Sequence, residues 1–124
     1  MTKPLAMVFY ERLLLGSQLV NRLTDIGYRA QSLSDLATVP AIVRKEKPLV
    51  LLMDLFSAQG SVAEVIATLK QSGETAHIPI IGFTAKEGER LHPEAVGAGV
   101  DMVAFDEALL RQLPEMLEQV LLCE

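Results

Sequence analysis

Short apolar runs alternate with longer amphipathic stretches along the whole chain. Leu5 to Tyr10 is a short apolar run, and Leu15, Leu19, Leu23 and Ile26 then recur at helical spacing until Gly27. That order predicts a strand and then a helix closed by a glycine cap. Tyr28 to Leu33 alternates loosely, Ser34-Asp35 offers an N-cap, and Leu36, Val39, Ile42 and Val43 form the next apolar face, with Pro40 near its first turns. Pro48 to Met53 is the most continuously apolar stretch, as expected of a central parallel strand covered on both sides, and Asp54 ends it.

The second half repeats the theme. Ser61-Val62-Ala63-Glu64 fits a capping box for a third helix that carries Val65, Ile66 and Leu69 and ends near Gly73. Ile78 to Phe83 predicts a fourth strand. Pro93 predicts the start of a short fourth helix ending before Gly97, which leaves Lys86 to His92 as a polar, mobile loop. Met102 to Phe105 predicts the fifth strand. A last amphipathic segment follows, kinked at Pro114 or truly beginning there.

Five strand-helix units in 124 residues predict one domain, residues 1–124, of the α/β class. Parallel strands need crossovers of this length, so the expected architecture is a five-stranded parallel sheet, doubly wound as (βα)5, in a flavodoxin-like three-layer sandwich. In such sheets chemistry gathers outside the carboxyl ends of the strands, where the strand order reverses. Glu11, Asp54, Thr84 and Asp106 follow the first, third, fourth and fifth strands. Singly, each has a structural reading: the carboxylates as helix caps or solvated loop residues, Asp106 as the cap of the last helix, Thr84 as a hydroxyl bonded to nearby backbone. Together, converging carboxylates repel and call for a proton or a cation such as Mg²⁺.

Composition narrows the choice. Half the residues are hydrophobic, and the net charge of −5 disfavours direct binding to nucleic acid or an anionic membrane. With one cysteine, Cys123, and no apolar run long enough to span a bilayer, the expected location is cytoplasmic. There is no glycine-rich phosphate loop after the first strand, no nucleophile-base pair with His77 or His92, and only 5% aromatic residues to sandwich a flavin. A small metal-dependent hydrolase or flavin carrier is therefore disfavoured.

Gly27-Tyr28, Lys47 to Asp54, Ile78-Pro79-Ile80-Ile81-Gly82-Phe83-Thr84-Ala85 and Ala98-Gly99-Val100-Asp101, in this order and spacing, make the chain resemble the receiver domains of bacterial two-component response regulators over essentially its full length. The resemblance implies a non-enzymatic signalling domain that takes a phosphoryl group from a histidine kinase or phosphotransfer protein. It implies Asp54 as phosphoacceptor, Thr84 in contact with the phosphoryl group, and Mg²⁺ held by Glu11, Asp54 and the backbone carbonyl of Phe56; Asp106, a carboxylate at the end of the fifth strand, is a further candidate ligand from this sequence itself. Output would pass to an effector on the face of the fourth helix, fifth strand and fifth helix, or through a homodimer.

The pattern is also broken in three places. The family's acidic pair falls on Tyr10 and Glu11, its Lys-Pro pair on Asp106 and Glu107, and its aromatic switch residue on Val103. An aspartate where a cation should meet phosphoryl oxygens inverts the local charge. Lys86 is a surrogate cation by position, and Arg12, if paired with Asp54, would hold a permanently charge-balanced pocket. The alternative to a phosphorylated receiver is therefore a pseudo-receiver, a phosphorylation-independent protein-interaction module.

Overall fold

The computed structural model describes residues 3–85 and 90–122. Five strands form one parallel sheet: β1 (Leu5–Phe9), β2 (Arg29–Leu33), β3 (Val50–Asp54), β4 (Ile80–Thr84) and β5 (Met102–Phe105), in the order β2-β1-β3-β4-β5. The order reverses between β1 and β3, so a crevice opens at their carboxyl ends. Parallel registers pair Phe9 with Met53, Asp54 with Phe83 and Thr84 with Phe105. The strand ends are thereby level with one another.

Two helical layers cover the sheet because its strands are apolar on both faces. Met7, Phe9, Leu51 and Met53 pack with Val39 and Val43 of α2 (Val39–Glu46), Ile66 and Leu69 of α3 (Val62–Gln71) and Ala95 of α4 (His92–Ala98). Val8, Val50, Leu52 and Phe83 pack with Leu19 and Leu23 of α1 (Leu13–Asp25), Leu109 of α5 (Asp106–Arg111) and Leu113, Leu117 and Val120 of α6 (Leu113–Leu122). Alternate residues of one strand therefore serve opposite layers.

Local signals act largely as their chemistry predicts. Gly27 takes a left-handed φ of +99° after α1, and Ser61 Oγ accepts from the Glu64 amide at 3.2 Å to start α3. Asp35 caps a short 3-10 turn over Leu36–Thr38 that runs into α2. The segment after β5 is two helices, with Pro114 in the first turn of α6, where its missing amide hydrogen is not needed. Pro114 thus marks a start rather than a kink.

Three expectations shift. Gly97 lies inside α4, and Gly99 at φ +104° closes the helix. α4 begins at His92, and of the loop expected over Lys86 to His92, residues 86–89 lie outside the described residues. Asp106 does not cap the last helix: Phe105 is the N-cap residue, and Asp106 sits in the first turn with its carboxylate engaged elsewhere.

Candidate functional site

β1 ends one residue before Tyr10-Glu11-Arg12, and these three side chains diverge. Tyr10 lies on α1 at Gly16, where an added Cβ would fall 2.0 Å from the Tyr10 ring, and its hydroxyl is 3.0 Å from Ser32 Oγ. Glycine at 16 is what lets an aromatic ring occupy this place. Glu11 turns to the segment after β3, accepting from the Ser57 hydroxyl, the Ala58 amide at 3.0 Å and Gln59 Nε2 at 2.8 Å. These donors, led by the Ser57 hydroxyl, hold its carboxyl below the usual range.

Arg12 crosses the crevice. Its Nε donates to Asp54 Oδ2 at 2.7 Å, while Nη1 and Nη2 donate to Asp106 Oδ2 and Oδ1 at 2.7 and 3.2 Å. One guanidinium therefore bridges the ends of β3 and β5 in the bidentate geometry that only arginine offers. The Phe56 amide donates to Asp54 Oδ1 at 3.1 Å, so both Asp54 oxygens are bonded.

Burial organises the electrostatics. Asp54 is 1% exposed, and desolvation, helped by the neighbouring Asp106 charge, pushes its carboxyl above the usual range despite the bonds from Arg12 and Phe56. Desolvation works against the Arg12 charge too, yet its bonds to Asp106 and Asp54 win and raise its affinity for the proton. The pair differs because Asp54 is sealed whereas the Arg12 side chain remains 37% exposed, so the arginine keeps part of its hydration.

Thr84 is buried at the end of β4 and donates to the Ala85 carbonyl at 3.1 Å. Asp54 and Thr84 line one cleft of about 240 Å³ with Phe56, Arg90 and Leu91. Lys86 lies outside the described residues. Val103 packs against the α2, α3 and α4 side of the core, where an aromatic switch would stand by the resemblance.

The donor set does not fit a Mg²⁺ site. Asp54 and Asp106 both bind Arg12, Glu11 is bonded to the β3–α3 segment, and no cluster of three His, Cys, Asp or Glu side chains able to hold a metal occurs among the described residues. Mg²⁺ needs near-octahedral oxygen ligands, and here a guanidinium stands between the carboxylates.

Arg12 as the bridge was one of two cations open to sequence reasoning; its choice of Asp106 was not, because 94 residues separate them. The Glu11 contacts were missed, although Ser57 and Gln59, just past Asp54, supply suitable donors.

No family model matches the chain, and no curated protein matches it in sequence. Solved structures match it in fold. A Chloroflexus aurantiacus protein assigned as a response regulator superposes with a TM-score of 0.88 at 15% identity, covering 98% of this chain and 99% of that one. The receiver domain of a Pseudomonas aeruginosa sensor histidine kinase, solved with magnesium in its active site cleft, gives 0.85 at 15% identity and 98% coverage of each chain. The receiver domain of NtrX from Brucella abortus gives 0.83 at 12% identity, covering 96% of this chain and 99% of that one. The chain has the CheY-like, flavodoxin-type fold of response-regulator receiver domains. No helix among the described residues is long and apolar enough to cross a membrane.

Proposed function

We propose that this chain is a receiver-fold module of two-component signalling that works by protein interaction without phosphoryl transfer. The observation that carries the reading is Arg12 bound to Asp54 and Asp106 together. A receiver switches because a metal and a phosphoryl group change the charge of its pocket. Here a tethered cation already neutralises the acceptor position, and Asp106 confronts an incoming phosphoryl group where a cation is needed. The donor set offers Mg²⁺ no vacant carboxylate pair. The partner is a protein, since the acidic chain disfavours nucleic acid and anionic lipid.

A second reading, Asp54 as a working phosphoacceptor served by a histidine kinase or phosphotransfer protein, draws support from Asp54 and Thr84 lining one cleft. Intact-protein mass after incubation with Mg²⁺ and a small phosphodonor, beside an Asp54→Ala control, separates the two. No mass gain is expected under conditions that label an ordinary receiver domain. A gain of one phosphoryl group that the control loses refutes the proposal.

A further inference from the structure

The amino edge of the sheet, opposite the Arg12 crevice, gathers positive charge. β2, β1 and β3 are neighbours, and their starts are level: the Arg29 amide donates to the Pro4 carbonyl and the Leu49 amide to the Leu5 carbonyl, both at 2.8 Å. Lys3 leads into β1, Arg29 opens β2 and Lys47 leads into β3. At the usual strand spacing these three starts stand within about 10 Å of one another. α2 returns from the carboxyl edge to enter β3 and brings Arg44 and Lys45 of its last turn to the same corner. Five of the 11 basic residues thus share one corner of a chain whose net charge is −5.

All five are exposed. Arg44 meets Glu74 at 4.0 Å, and the other four make no ion pair among the described residues. Asp25 and Glu46, the last residues of α1 and α2, are the nearest acids along the chain and leave the corner positive. A helix C-terminus favours cations, which accounts for Arg44 and Lys45 but not for Lys3 and Arg29. Lys47 carries a second mark. Its φ of +49° makes it the one non-glycine residue with positive φ among the described residues. The left-handed turns after α1 and α4 use Gly27 and Gly99, whereas α2 closes on a lysine whose Cβ is strained there. A strained residue kept where glycine would be at ease points to a use for its ammonium group.

Two apolar side chains lie at the same edge, Ile26 after α1 at 38% exposure and Leu49 before β3 at 44%. They are too little to insert into a bilayer, and an anionic membrane, far wider than the corner, would meet the negative charge of the whole chain. A segment small enough to sit within the corner meets mainly the local cations, because exposed charges beyond about 8 Å are largely screened at physiological ionic strength.

We propose that the amino edge of β2, β1 and β3 is a docking surface for an acidic segment of a partner protein, rich in Asp and Glu with an apolar residue among them, and that Lys3, Arg29 and Lys47 are its cationic contacts. This role rests on the reading of the chain as a protein-interaction module and not on the charge state of Asp54. It adds a surface remote from the face of α4, β5 and α5.

The test is selection of a phage-displayed library of random linear peptides on the full chain, followed by titration of a selected peptide. Enriched peptides should be acidic, their amide shifts should fall on residues 3–5, 26–29 and 44–49, and affinity should drop as salt rises. Lys47→Gly decides the matter, because it should weaken the peptide roughly threefold or more while Tm stays level or rises, glycine being at ease in left-handed backbone. Arg29→Gln should weaken it likewise. Enrichment of basic or uncharged peptides, binding indifferent to both variants, a lower Tm for Lys47→Gly, or no enrichment overturns the proposal. Shifts confined to Arg22 and Arg111, the cations of the groove between α1 and α5, also overturn it. So does co-sedimentation with phosphatidylserine vesicles that Lys47→Gly abolishes, which gives the corner to a membrane. Labelling of Asp54 by a phosphodonor refutes the phosphorylation-independent reading and leaves this surface standing, whereas failure of this surface shows in the peptide data alone.

Discussion

Arg12→Met removes the bridging cation while keeping an unbranched side chain of similar reach, so packing along the stem is largely retained. What remains is Asp54, almost fully buried, with the Phe56 amide as the one hydrogen bond left to its charge among the described residues. Removing one partner of a buried pair typically costs about 3 to 5 kcal/mol because the other charge is left uncompensated. That figure must be reduced here, since the Arg12 side chain is 37% exposed and recovers less than a fully desolvated cation would. A loss of about 2 to 3 kcal/mol at neutral pH is expected. At about 2.1 cal/mol/K of unfolding entropy per residue, this corresponds to a fall in Tm of roughly 8 to 12 °C.

The pH dependence is the sharper test. Asp54 has a folded pKa above its unfolded value, so its contribution to stability is fully present below the unfolded pKa and is lost as pH rises through the folded one. Arg12→Met deletes the largest influence that pulls this pKa down, the Arg12 hydrogen bond, together with the Arg12 charge, leaves the Phe56 amide bond in place, and moves the pKa further up. The deficit of the variant should therefore be large at pH 7 and shrink below about 1 kcal/mol near pH 4, where a protonated Asp54 needs no cation. Urea unfolding followed by circular dichroism at both pH values measures it, and Asp54→Asn added to Arg12→Met should recover most of the loss at pH 7. A deficit under about 1 kcal/mol at neutral pH, or one that is the same at both pH values, refutes the uncompensated-charge reasoning.

Three further outcomes follow from other contacts. Millimolar Mg²⁺ should leave the Tm of the wild-type protein unchanged and raise that of Arg12→Met, because only the variant frees Asp54 and Asp106 for a cation; thermal melts with and without the ion check this. Gly16→Ala should lower stability by about 1 to 3 kcal/mol in urea unfolding, against the usual gain for alanine in a helix, since the new methyl meets the Tyr10 ring, and Tyr10→Ser should restore it. Glu11→Ala should speed hydrogen exchange at the Ala58 and Gln59 amides with little change in global stability, as the carboxylate bonds an exposed segment rather than the core; unchanged exchange there would remove Glu11 as the organiser of that segment.

Legibility in the sequence followed the physics of each feature. Strand and helix alternation was legible because burial imposes it: β3 is apolar on every residue before Asp54 to serve two helical layers, and glycines stand at the ends of α1 and α4 because left-handed backbone requires them. From the strand count the parallel fold follows, and with it the convergence of Tyr10, Glu11, Asp54, Thr84 and Asp106 on one edge. Which way each side chain turns from there is a matter of tertiary geometry. Asp106 was expected to cap a helix, but β5 passes directly into α5 at Phe105, so the aspartate falls inside the first turn, its carboxylate held by Arg12. Glu11 is separated from its partners by 46 to 48 positions, and no local spacing predicts that it faces Ser57 and Gln59 rather than Asp54.

The departures at Tyr10, Asp106 and Val103 are consistent with one another once Arg12 is included. A phosphoryl switch needs a ligand that interacts differently with two states, and an element with two arrangements to read the difference. Placing Tyr10 against Gly16 removes one acid from the metal position, Asp106 removes the cation opposite the phosphoryl group, and Val103 removes the aromatic rotamer that would report Thr84 movement. The loss of the cation at 106 alone would leave a damaged switch with an unpaired buried aspartate. Arg12 compensates that aspartate and Asp106 with a single side chain, which is the charge balance that the phosphorylation-independent reading requires.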